Sequence, residues 1–216
     1  MPVTTRAPKA VPATVRRASE LESASGIGEI CRARNVVERL GGRFSVEAGI
    51  DIERGLGDLR RWALLAELLS TSTSLPGGEP ILDMLERAGE NLDSDARFAR
   101  LLILGEEMTD PVELELAVAD LLGWRPRTAR VFLRELRGIW HGSDPPLDAR
   151  AVWGARHAHL PSRARDLIAL ARDAHLDSRD LEAALIRLAL SHRTTDCPGG
   201  EECPLVACDA GTFVQF

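Results

Sequence analysis

The sequence predicts an all-α protein. Apolar residues recur at helical spacing through most of its 216 positions. No convincing period-2 alternation marks a strand, and caps and glycine breakers separate the periodic segments. With 44% hydrophobic and 28% charged residues, the chain can bury a substantial core. No apolar run approaches the eighteen residues of a membrane span, so no membrane association is expected.

Ile27, Ile30, Val37 and Leu40 share one face of a first helix, stopped by Gly41-Gly42. Leu59, Trp62, Leu65 and Leu69 define a more apolar, central helix, ended by the Ser/Thr run 70–74 and Pro76-Gly77-Gly78. Helices follow at about 80–90 and 94–104. The next has the clearest start in the chain, with Asp110 as N-cap, Pro111 at the first helical position and Glu113 three residues after the cap. It runs to Leu122 and breaks at Gly123. A helix is expected to resume from Thr128 to Trp140, followed by others at about 149–159, 162–174 and 178–192.

Charge is unevenly spread. The net value is −6, yet residues 124–165 hold nine Arg against Glu135, Asp144 and Asp148, and residues 1–17 hold four cations and no acid. The remainder therefore carries −16: an acidic body with a basic tract on which a polyanion can dock. The N-terminal stretch lacks the apolar segment and cleavage site of a signal peptide and reads as a flexible basic arm over 1–20 of a cytoplasmic protein. Lysine occurs once, at Lys9.

The segment Leu121-Leu122-Gly123-Trp124-Arg125-Pro126-Arg127-Thr128-Ala129 joins two helices by a tight turn. Backbone N–H groups at such a turn can bind a phosphate without reading sequence. It resembles the helix-hairpin-helix of the endonuclease III superfamily of DNA glycosylases, whose hairpin reads LPGxGxxTA. Three further segments follow the family's order. Gly142-Ser143-Asp144-Pro145-Pro146-Leu147-Asp148 is similar to the Gly/Pro-rich loop ending in Asp. Cys197, Cys203 and Cys208, with Glu202-Cys203-Pro204-Leu205, stand where the family places an iron–sulphur loop. Upstream, Leu64 to Thr73 is similar to its central buried helix. The resemblance spans roughly residues 30–208.

The resemblance implies two helical lobes flanking a DNA-binding cleft, one of residues 50–139 and one of 21–49 with 140–216. It implies a cytoplasmic, nucleoid-associated monomer that binds double-stranded DNA and excises a damaged or modified base. Asp148, just before a helix, matches the essential Asp and would face the sugar as the glycosidic bond breaks. Asp144 is the alternative, and Asp148 can equally serve as a plain N-cap. Arg127 takes the position of the nucleophilic Lys of lyase-competent members. Guanidinium cannot form a normal Schiff base, so base excision without lyase activity is expected. Gly123, Trp124, Arg125, Arg127, Thr128 and Arg130 would contact DNA, with Arg125 replacing the second hairpin glycine and threatening the turn. Ser72 aligns with a residue that members insert at the emptied base position. The expected cofactor is a 4Fe-4S cluster held by Cys197, Cys203, Cys208 and Cys31. Zinc on His192 and the three tail cysteines is the alternative metal, and free thiols or a disulphide the third reading.

Overall fold

The computed structural model describes residues 13–71 and 96–191, the first helix by its backbone alone up to residue 25. Among the described residues the fold is all-α, with no strand and a single isolated bridge between Arg137 and Trp140. The helices are α1 (Ala13–Leu40), α2 (Phe44–Glu47), α3 (Leu56–Thr71), α4 (Ala96–Glu107), α5 (Pro111–Leu122), α6 (Pro126–Arg134), α7 (Ala149–His157), α8 (Ala164–Asp173) and α9 (Ser178–Ser191). The helix expected at 80–90 lies outside the described residues.

Main helix packing falls into two sets. In one, α3 packs on α4 and α6, and α5 on both α4 and α6; in the other, α9 packs on α1, α7 and α8, and α1 also on α8. The first set is centred on the fully buried Trp62 of α3, whose indole N–H donates to the Phe132 carbonyl at 3.0 Å. Trp124 and Trp140 meet Phe132 edge-to-face at 5.7 and 5.8 Å. The second set is held tightest where α7 crosses α9. A Cβ at Gly154 would sit 2.2 Å from the Leu185 carbonyl oxygen, so only glycine allows this approach.

Three boundaries differ from those the sequence predicts. First, α1 begins at Ala13, so residues 13–20 are helical rather than part of an unstructured arm; Pro12 ends the run of prolines, and 13–25 hold neither Gly nor Pro. Second, the helix expected to run to Trp140 stops at Arg134. Tight turns follow, with Gly138 at φ +79°, and they swing Trp140 against Gly105 of α4. Third, α2 was not expected. Its first amides are satisfied by a distant side chain, the buried Glu135 carboxylate, which accepts from the N–H of Phe44 at 2.8 Å and of Ser45 at 3.0 Å.

Gly154→Ala tests the α7–α9 approach. Forcing the Cβ against backbone should destabilise the protein by about 1–3 kcal/mol, read as a lower urea midpoint. An unchanged midpoint would mean that the two helices are farther apart.

Candidate functional site

The α5–α6 hairpin is built from local signals. Asp110 caps α5, accepting from Val112 N and Glu113 N at 2.9 Å each. Gly123 closes it in the left-handed region at φ +68°, and the Trp124 N–H returns to the Ala119 carbonyl at 2.7 Å. Arg125 lies at φ −76°, ψ 151°, backbone that any residue adopts, so its replacement of glycine does not break the turn. Pro126 starts α6 with no side-chain cap; the Thr128 N–H donates to the Arg125 carbonyl at 2.9 Å, so in the exposed first turn the Arg127 N–H is the group with no acceptor among the described residues.

Not every residue expected at this surface is on it. Gly123, Arg125, Arg127 and Arg130 are exposed. Thr128 is buried, and its hydroxyl lies 2.9 Å from that of Ser70, tying α6 to α3. Trp124 is half-buried against Phe132. Both are therefore packing positions. Ser72 lies outside the described residues.

One face of α6 and one face of α7 line a cleft of about 850 Å³. Arg127, Arg130 and Arg134 come from α6; Arg150, Trp153 and Arg156 come from α7; Asp148 and Glu182 are its two carboxylates. The cleft is thus cationic inside an acidic protein. Arg130 is held by Glu115 of α5, its Nε 2.8 Å from one carboxylate oxygen, which raises its pKa above the ordinary value through that hydrogen bond and charge. Among the described residues, Arg127 and Arg156 have no ion-pair partner. Trp153 stacks on His157, ring centroids 5.2 Å apart and planes within 4°.

Asp148 stands at the α7 entrance to this cleft and does two things at once. As N-cap it accepts from Arg150 N at 2.8 Å; its two oxygens are also gripped by the same residue's guanidinium, at 3.0 Å from Nε and 2.8 Å from Nη2. Burial works to raise its carboxyl, but the hydrogen bonds and charge of Arg150, with Arg134 adding to the field, outweigh it and hold the pKa below the usual carboxylate range. The group is an anion that sits in a cleft of cations.

The loop that carries Asp148 is fastened to α9. Arg137 donates Nε to Asp144 at 3.0 Å, Nη1 to Glu182 at 2.6 Å and Nη2 to the Pro145 carbonyl at 2.6 Å. The other Glu182 oxygen accepts the Asp148 N–H at 3.2 Å. Ser143 donates its hydroxyl to the Leu133 carbonyl at 2.6 Å. Asp144 does not share the Asp148 cleft. It is largely exposed and lines a separate cavity of about 540 Å³ with His141, Ser178 and Arg179.

Of the expected metal ligands, Cys31 is an exposed free thiol on α1. His192, Cys197, Cys203 and Cys208 lie outside the described residues. Among the described residues no three His, Cys, Asp or Glu side chains form a metal-binding group, and no helix is long and apolar enough to cross a membrane.

Several cleft residues were not singled out from sequence, although signals for them exist. Arg150, Trp153 and Arg156 repeat at spacing three immediately after Asp148, which places them on one helical face. Glu182 is a lone acid among Leu181, Ala183, Ala184 and Leu185, a pattern that calls for a buried partner. Compared with known proteins, the chain matches no family model, no curated protein and no solved structure.

Two predictions follow from these contacts. Arg137→Met strands Glu182 without its cation and should cost about 3–5 kcal/mol of stability; a denaturation curve superimposing on wild type would refute the buried pair. Because the folded pKa of Asp148 lies below its unfolded value, near 4, its ionised form stabilises the fold above that pH. The contribution is lost as pH falls through the folded value. Arg150→Ala keeps the backbone cap but removes the guanidinium donors and their charge, so the Asp148 carboxyl should titrate at higher pH by carboxyl NMR. Titration at the wild-type value would show that Arg150 does not hold it.

Proposed function

We propose that the protein binds duplex DNA across the α5–α6 hairpin and the adjoining cleft, and hydrolyses an N-glycosidic bond there without lyase activity. The observation that carries the reading is that Asp148 and the α6 arginines, from Arg127 in the first turn of that helix onward, line one cleft. A phosphodiester backbone along α6 would meet the exposed N-terminus of that helix and the guanidinium groups of Arg127 and Arg130. A nucleotide rotated out of the duplex would enter a space of about 850 Å³, large enough for a base and its sugar.

The chemistry asked of Asp148 is electrostatic. As the C1′–N bond breaks, its electron pair leaves with the base and positive charge develops on the sugar; water then adds to C1′ and the base gains a proton. A carboxylate kept ionised in the cleft stabilises that charge. With both oxygens already hydrogen-bonded by Arg150, it is poorly placed to take a proton from water. The same clamp favours a second reading, a DNA-binding protein that does no chemistry, in which Asp148 is only a cap. Arg127 remains protonated and forms no Schiff base, and the chain's single lysine is Lys9.

Duplexes carrying a panel of modified bases, followed by alkaline cleavage of any abasic product, separate the readings. Excision of at least one base, reduced about 10²–10³-fold by Asp148→Asn, is the expected result. Salt-sensitive binding with no product from any substrate would leave the second reading standing. Arg127→Ala should lower the slope of log affinity against log salt by about 1, and affinity with no salt dependence would remove both.

A further inference from the structure

Among the described residues, Trp153 is the one tryptophan that stands apart from the hydrophobic core. Trp62 and Trp140 belong to that core and Trp124 packs against it; Trp153 does neither. It is half-buried on α7 and lines the cleft. One face of its indole is taken by His157, one turn farther along the helix, with ring centroids 5.2 Å apart and planes within 4°. His157 does not line the cleft, so the cleft meets the indole on the side that the imidazole leaves open. Val131 of α6, with Leu147 and Val152, adds apolar wall beside it. Cations flank this wall. Arg127 and Arg156 are exposed cleft residues with no ion-pair partner among the described residues. Arg156 follows Trp153 by three residues, on the same side of α7.

An anion that carries a flat ring matches this combination. A purely apolar ligand would leave the cations unused, and a bare phosphate would leave the indole unused. We propose that Trp153 is the stacking platform for the base of a nucleotide whose phosphates are met by Arg127 and Arg156. Every base has a π-face, so an indole holds it without reading its identity. The imidazole behind the indole restrains the ring, and the platform is set before the base arrives. Asp148 caps the same helix five residues before Trp153, about 7 Å along its axis, so a base on the indole can turn its sugar toward that carboxylate. The occupant is a nucleotide rotated out of a duplex. That assignment rests on the DNA reading; the platform itself does not.

Wild type, Trp153→Phe and Trp153→Leu are titrated with deoxyadenosine monophosphate and with deoxyribose 5-phosphate, binding being followed by calorimetry and by tryptophan fluorescence. In wild type the nucleotide should bind saturably and quench the fluorescence, and the sugar phosphate, which lacks the base, should bind about tenfold more weakly. Trp153→Phe keeps a stacking ring and should bind the nucleotide within about threefold of wild type. Its quenching should vanish, because the other tryptophans do not line the cleft. Trp153→Leu should weaken the nucleotide about tenfold and leave the sugar phosphate unchanged, a split that a general loss of structure would not give. Should Trp153→Leu fail to fold, wild type and Trp153→Phe decide the matter. No saturable nucleotide binding, nucleotide and sugar phosphate bound equally by wild type, or quenching that persists in Trp153→Phe would overturn the platform. Two duplexes identify the source, one fully paired and one with an unpaired adenine bulged out. Stronger quenching by the bulged duplex assigns the base to an extruded nucleotide. Quenching by the mononucleotide with neither duplex bound refutes the DNA reading alone and assigns the platform to a free nucleotide. Salt-sensitive duplex binding with no quenching by either duplex or by the mononucleotide refutes the platform alone.

Discussion

The Arg137–Glu182 pair fixes the place of the candidate site. Arg137 comes from the turns after α6, Glu182 from the middle of α9, and both are buried. Taking two charges out of water is not by itself a source of stability. Here every charged edge is hydrogen-bonded, so the pair defines geometry: one guanidinium reaches Asp144, the Pro145 carbonyl and Glu182, and the second Glu182 oxygen receives the Asp148 N–H. The start of α7 is thereby referenced to α9 and to the end of α6 together. Glu135 does similar work two residues earlier, capping α2 with its side chain while its carbonyl accepts from Arg179 at 3.1 Å. Burial pushes the Glu135 carboxyl up, against the pull of Arg134, the Ser45 side chain and the two α2 amides.

This scaffold also explains how a chain of net charge −6 presents a cationic cleft. Acids near the cleft are each matched to one arginine for structural ends, and the arginines in excess collect on the facing sides of α6 and α7. Arginine suits the structural task, since its side-on edge locks a carboxylate, as in Arg179 on Asp177. Lysine, a point charge on a flexible stem, would give neither the fixed loop nor the planar edge. The scarcity of lysine accordingly has structural consequences beyond the absence of a Schiff-base nucleophile.

What could be read from sequence was local. Asp110, Pro111 and Gly123 bound α5 because caps act within one turn of the chain, and Asp148 is legible as the start of α7 for the same reason. The end of α6 was not legible. Nothing in Glu135-Leu136-Arg137 opposes a helix; it stops because Glu135 is needed at α2 and Trp140 has to reach Gly105, contacts set by residues about 90 and 35 positions away. The same limit applies to the arginines of α6 and of the turns that follow it. Spacing places Arg127, Arg130, Arg134 and Arg137 near one face, but their fates range from exposed and unpaired to fully committed. Only the fold decides which of them faces an acid.

The Arg150 clamp narrows the chemistry open to Asp148. A general base must offer a lone pair to water and have a pKa near the working pH, and this carboxyl has neither. An anion meant to stabilise positive charge needs the opposite: a low pKa, a fixed position and partial burial, so that its field is not lost to solvent. Asp148 meets all three requirements, and Arg150 supplies the first two. The clamp also draws off part of that field, because a bidentate cation sits on the carboxylate before any substrate arrives.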